Sequence, residues 1–192
     1  LNVTELKPGD LVLRSVPQLD FKLNIQEYEF GYFMGLLAGD GGLSLMDKYR
    51  CIGFSNIDEG ILNKFHELSI RFFGKKFTKC AARSDWRLQS VDACNTVKKW
   101  GFKSCKSTSK RVPHAALKSM STILGYIMGL FDIDGTCVWK KNYMQIAQSN
   151  EPLLMDVNAM LSCLGVVSYI RIKPFGKKLS KMNYKTPFIL NM

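Results

Sequence analysis

Two Asp-Gly pairs, Asp40-Gly41 and Asp134-Gly135, each close an apolar run that reads as a helix. A carboxylate is misplaced there, because the helix dipole already puts about half a negative charge at that end. One such pair would mark only a turn. Two at matching places in a repeat bring two carboxylates and several free carbonyl oxygens together. A hard divalent cation with oxygen ligands relieves that repulsion, Mg²⁺ foremost, with Mn²⁺ or Ca²⁺ able to substitute. The chemistry this suggests is hydrolysis by a metal-activated water. Rival chemistries lack parts. His66 and His114 are isolated and read as surface or cap residues. The six cysteines (51, 80, 94, 105, 137, 163) show no C-x-x-C spacing and read as reduced, buried thiols.

The elements that must position the carboxylates follow from the repeat. Gly31-Tyr-Phe-Met-Gly-Leu-Leu-Ala-Gly-Asp-Gly41 recurs 94 residues later as Gly125-Tyr-Ile-Met-Gly-Leu-Phe-Asp-Ile-Asp-Gly135, identical at seven of eleven positions. Gly31, Gly35 and Gly39, like Gly125 and Gly129, recur every four residues and so line one helix face. Glycine inside a helix costs about 0.5–1 kcal/mol against alanine. The stripe is explained if the two copies pack backbone to backbone across a pseudo-twofold axis. After each copy come a β-prone pair (42–55; 136–149) and a helix-patterned stretch (58–73; 151–164) closed by Gly74 or Gly165. Two further strands follow, 76–83 and 86–91 in the first half, 166–173 and about 184–190 in the second, with a helix near 93–100 ending the first. A Ser/Lys-rich linker over 103–111 runs to Pro113. The predicted fold is α/β (α+β): two αββαββ(α) units, 23–103 and 114–192, joined by a 104–113 linker and preceded by a 1–22 segment.

Composition narrows the partners. The 192 residues are 46% apolar and 22% charged, enough core material to exclude a disordered or low-complexity chain. The longest apolar runs, 31–39 and 123–131, are half of what a bilayer demands, and residues 1–16 carry acids and a Pro-Gly turn instead of a signal-peptide core. An intracellular, non-secreted protein is expected. The net charge is +11, and it is lopsided: residues 101–192 hold 13 basic and 4 acidic side chains. Such a half-chain wants a polyanion, and without a basic amphipathic helix to suit a membrane, nucleic acid leads.

Phe33–Gly41 and Ile127–Gly135 resemble the paired motifs of the LAGLIDADG homing endonucleases in their single-chain, two-motif form, and the resemblance extends over about residues 26–192. It implies two antiparallel sheets forming a saddle over the DNA major groove, with the motif helices at its centre. It also implies a monomer that cuts both strands of a long asymmetric duplex site across the minor groove, leaving short 3′ overhangs. By position Asp40 and Asp134 would bind metal and drive hydrolysis, with backbone carbonyls from Gly39 and Ile133. Lys110-Arg-Val-Pro113 is similar to the Lys-x-Ile-Pro block of intein endonucleases, making Lys110 a catalytic cation. Gln148 resembles a polar position that holds site water. Val3–Val12 is similar to a stretch of intein splicing (Hint) domains, which suggests an intein's endonuclease region. Without a Cys or Ser at position 1 or a terminal His-Asn, this chain is not expected to splice itself.

Strand alternation selects a DNA-facing set. Tyr169, Arg171 and Lys173 share one face against Ile170 and Ile172, and Tyr143 and Gln145 share another. Arg87 and Gln89 form the corresponding pair in the first half, suited to guanine and adenine edges respectively. Arg50, Arg83, Lys140 and Lys141 join the candidate surface, and Lys177 and Lys178 are assigned to phosphates. Two other readings fit the same architecture: a maturase-like RNA splicing cofactor and a DNA-binding protein that has lost cleavage.

Overall fold

A computed structural model describes residues 22–46, 49–80, 84–172 and 188–192. The first motif helix, α1 (Ile25–Gly39), starts at Asn24, whose side chain accepts the amide hydrogens of Gln26 and Glu27. Its repeat counterpart, α4 (Met120–Asp134), starts at Ser119, which accepts from Thr122. The two starts are tied across the axis. The Asn24 amide donates to Ser121 Oγ (3.0 Å), and Ser119 Oγ donates to Glu27 Oε2 (2.7 Å). Both helices are rich in apolar residues and bury most of the stretch from Gly31 to Ala38 and from Ser121 to Leu130.

Each motif helix leads into a hairpin, β1 (Gly41–Met46) with β2 (Tyr49–Ser55) and β5 (Gly135–Val138) with β6 (Tyr143–Gln148). Next come α2 (Glu59–Phe73), capped by Asp58 and stopped by left-handed Gly74, and α5 (Glu151–Cys163), capped by Asn150. The first half continues with β3 (Thr78–Lys79), β4 (Asp85–Gln89) and α3 (Val91–Trp100); the second with β7 (Tyr169–Ile172) and β8 (Phe188–Asn191). Both sheets are antiparallel and four-stranded with equivalent orders, β1-β2-β4-β3 and β5-β6-β8-β7.

The repeat plan therefore holds, with shorter strands than the sequence pattern suggested. Within the expected 76–83 strand the described residues pair at Thr78 and Lys79 only, Phe77 turning into the core against Phe65 (ring centroids 4.8 Å), and residues 81–83 lie outside the described residues. The 86–91 strand stops at Gln89, because Ser90 caps α3. The 166–173 strand begins only at Tyr169, because the Val166 amide still bonds Leu161 O in the turn closing α5. The 1–22 assignment falls, apart from residue 22, outside the described residues.

Two cores flank the motif pair. Phe33, Phe54 and Phe65 stack in the first, with Phe54 and Phe65 3.8 Å apart and nearly parallel. Tyr126, Leu130, Ile146, Val157 and Leu190 build the second. Helix α1 serves both, since Met34 and Ala38 pack into the second-half core while Phe33, Leu36 and Leu37 enter the first. Burying each large apolar side chain contributes about 1.5–3 kcal/mol. The halves thus share a hydrophobic interior along the axis that carries the two aspartates.

Candidate active site

The glycine stripe is what lets the aspartates meet. A Cβ at Gly31 or Gly35 would run into backbone atoms of Thr122, Tyr126 and Leu130, and one at Gly125 or Gly129 into those of Tyr28, Tyr32 and Leu36. A Cβ at Gly39 would instead meet the Ile133 side chain, 2.6 Å from Cγ2. With the backbones in contact, the helix ends come out side by side. Asp40 caps α1, its amide donating to Leu36 O, and Asp134 is the last residue of α4. Both carboxyls are half-buried, and both are pushed up in pKa chiefly by that burial. For Asp134 the neighbouring charge of Asp40 adds to the shift, and its carboxyl is held at about 6.

Each carboxylate accepts one side-chain amide. Asn56 Nδ2 donates to Asp40 Oδ2 at 2.7 Å, and Gln148 Nε2 donates to Asp134 Oδ2. Strand register makes these two residues equivalent. Gly41 pairs with Phe54 and Gly135 with Ile146, so Asn56 and Gln148 each stand two residues past the pairing. The sequence reading found Gln148 and missed Asn56, because the first hairpin is two residues longer and the repeat offset falls from 94 to 92 across it. The helix caps Asp58 and Asn150 keep that same offset of 92 and could have signalled it.

Lys110 supplies the positive charge. Its Nζ donates to the carbonyls of Ala38 (2.8 Å), Gly39 (3.1 Å) and Gly41 (2.7 Å), capping the end of α1. Burial lowers its pKa, while Asp134, Cys105 and Asp40 raise it. The linker is held for this task. Buried Asn150 donates to the carbonyls of Ser107 and Lys110 (2.8 and 2.9 Å), and Arg111 forms a forked pair with Asp156 (2.7 Å on both arms). Neither Asn150 nor Asp156 stood out in the sequence, since each reads as an ordinary helix residue.

The donors fit a hard cation. Two repelling carboxylates beside helix-terminal carbonyls form an oxygen set, and among the described residues no cluster of three His, Cys, Asp or Glu side chains competes with it. The Gly39 carbonyl, assigned to metal by the resemblance, here accepts from the Lys110 ammonium. Ile133 contributes its side chain to the packing against Gly39.

The expected surface residues divide. Register places Arg87 and Gln89 on the open face of the first sheet with Gly42, Ser44, Gly53 and Ser55, opposite Ile52, Phe54 and Leu88. Tyr143, Gln145, Tyr169 and Arg171 share the corresponding face of the second sheet. Lys140 is exposed in the short 3-10 turn 139–141 at the hairpin tip, where Lys141 also lies. Arg50 is a correction. It falls on the helix side with Ile52 and Phe54, and its guanidinium reaches Asn95 of α3 at 3.4 Å. Arg83, Lys173, Lys177 and Lys178 lie outside the described residues. His66 is also corrected, being buried (6% exposed), while two of the six unbridged cysteines, Cys105 and Cys163, are exposed. No described helix is long and apolar enough to cross a membrane.

Two αββαββ halves are joined through glycine-packed helices with Asp40 and Asp134 at their ends, an arrangement that matches the LAGLIDADG fold. Residues 121–186 match the family described as LAGLIDADG-like domain. The structure is similar to the homing endonuclease I-DmoI in complex with DNA and Mn (TM-score 0.61, 20% identity, 88% of this chain and 90% of that one). It is also similar to full-length DUF199/WhiA from Thermatoga maritima (TM-score 0.54, 11% identity, 90% of this chain and 53% of that one). In sequence the chain is 25% identical to the DNA-directed RNA polymerase subunit Rpo1C of Methanocaldococcus jannaschii over 187 residues. That match takes in 88% of this chain, which spans only 20% of the polymerase subunit's length.

Proposed function

We propose that the protein is a site-specific double-stranded DNA endonuclease that hydrolyses both strands with a divalent cation. The observation that carries this reading is the juxtaposition of Asp40 and Asp134, each amide-supported, at the ends of two helices flanked by a pair of open sheet faces. Asp40 and Asp134 hold the cation. When bound, it supplies Lewis acidity to the phosphodiester and its attacking water. Asn56 and Gln148 fix the two carboxylates in one orientation, and Lys110 places a positive charge where anionic charge develops. Arg87, Gln89, Tyr143, Gln145, Tyr169 and Arg171 face the bases. The likeness to I-DmoI, crystallised with DNA and Mn and with DNA and Ca, supports the partner and the kind of cation. A match inside a much longer polymerase subunit supports an insertion in a host protein, as the Hint-like Val3–Val12 segment also suggests. The protein then acts as a monomer wherever the host gene's DNA resides.

The test is incubation with a randomised duplex library and Mg²⁺, followed by sequencing of the ends. Paired breaks with short 3′ overhangs at one long site are expected. Asp40→Asn and Asp134→Asn should abolish double-strand cleavage and leave binding largely intact. Undiminished cutting by either variant would remove the paired-carboxylate site. Tight duplex binding without cleavage would identify a cleavage-dead binder, and a clear preference for structured RNA a maturase-like role.

A further inference from the structure

The Lys110 ammonium has three hydrogens, and three backbone carbonyls around the end of α1 receive it. Those of Ala38, Gly39 and Gly41 accept at 2.8, 3.1 and 2.7 Å. A nest of carbonyl oxygens at a helix C-terminus is a place for a cation, and here a side chain of the same chain fills it. The ammonium is put there by the fold itself. Asn150, 1% exposed, holds the Lys110 carbonyl at 2.9 Å, so the stem starts from a fixed point. The carboxylates are treated alike. Asn56 occupies Oδ2 of Asp40 and Gln148 occupies Oδ2 of Asp134, and among the described residues no hydrogen bond engages either Oδ1. The carbonyls beside them are not alike. Ile133 lies in the last turn of α4, whose carbonyls receive no amide from a following turn. Gly39 is its counterpart in the repeat, and its oxygen already serves the ammonium.

We propose that the protein binds one divalent cation, through Asp40, Asp134 and the Ile133 carbonyl, and that Lys110 holds the place of a second beside Gly39. This rests on the cation-dependent reading above and departs from the family resemblance at one ligand, the Gly39 carbonyl. Charge gives the same count. Two ionised carboxylates and about half a negative charge from each helix end make about three negative charges. One divalent cation and one ammonium offset them. A further divalent cation on the Gly39 oxygen would stand directly beside a fixed positive charge, with no added carboxylate to offset the repulsion. Because its three hydrogens are all engaged, Lys110 acts at this centre as a fixed charge and not as a proton donor.

The test counts cations without substrate. Metal-stripped protein is titrated with Mn²⁺, and the free ion is followed by electron paramagnetic resonance. The Asp40→Asn/Asp134→Asn double variant sets the background for adventitious surface binding. Wild type should take up one equivalent above that background. Lys110→Met removes the charge on a side chain of similar length and should take up two, while Lys110→Arg should take up one. Circular dichroism shows whether each variant is folded, and the wild-type count tests the proposal even where Lys110→Met does not fold. Two equivalents on wild type, or a single one on folded Lys110→Met, would overturn the proposal and leave the endonuclease reading standing. No saturable uptake by wild type above the background would overturn both.

Discussion

At the residue scale the centre is built against its own stability. Asp134 is held at about 6 by burial and by Asp40, above its ordinary value of 3.8. A carboxyl raised in the folded state favours folding while protonated, so its contribution is full below about pH 4 and is lost as pH rises through about 6. In metal-free buffer, Asp134→Asn should therefore be more stable than wild type near pH 8, on the order of 2 kcal/mol, with the gap closing near pH 4. Thermal melts across that range check it. Added Mn²⁺ should raise the melting temperature of wild type and leave that of Asp134→Asn nearly unmoved, since only a bound ligand adds stability by mass action. A pH-independent difference between the two proteins would mean that neither burial nor Asp40 raises the Asp134 carboxyl. Both aspartates were legible in the sequence because a charge at a helix C-terminus needs a reason. Asn56 and Asn150 were not, because their roles depend on hairpin length and on a loop docking from the other half of the chain.

At the element scale the helix pair and the linker matter most. Gly35→Ala or Gly129→Ala would drive a methyl into the facing backbone, which cannot yield as a flexible side chain can. Either should cost at least about 3 kcal/mol or prevent folding. Gly42→Ala, with nothing within 4 Å of its Cβ, should be nearly neutral, and denaturant melts distinguish the three. The stripe was readable because glycine every four residues has little other use in a helix. The strand limits were less so: Phe77 and Val91 have strand-like side chains, and tertiary packing against Phe65 and the Ser90 cap overrode that preference. The linker makes a separate prediction. Asp156→Ala frees the Arg111 fork and the Val112 amide, loosening the segment that delivers Lys110. Cleavage should slow by about tenfold or more while duplex affinity holds, because a small displacement of a positioned group is enough to lower the rate. Equal losses in binding and rate would place Lys110 among the ground-state contacts.

For the whole molecule the question is how a chain of net charge +11 divides attraction from recognition. Arg87 and Gln89 stand on the open face of one sheet and Arg171 and Tyr169 on that of the other, with the paired helices between them. A duplex laid across both faces would meet base-edge readers on each side of Asp40 and Asp134. Charge alone draws in any duplex, and its signature is salt: log K should fall by about 0.9 per log unit of salt for each phosphate neutralised. Side chains held in strand register act differently, since a guanidinium fixed over a base edge discriminates and a mobile ammonium does not. Arg87→Ala and Arg171→Ala should each cost about 1–3 kcal/mol on the preferred site, relax preference at one base position and leave non-specific duplex binding nearly unchanged. Lys140→Ala, at a hairpin tip, should weaken all sequences alike and make the salt slope shallower by about one unit. Binding titrations over a salt series, on the selected site and on a scrambled duplex, separate the two behaviours. A uniform loss from Arg87→Ala and Arg171→Ala would show that the sheet faces hold the backbone only, and that sequence is read elsewhere.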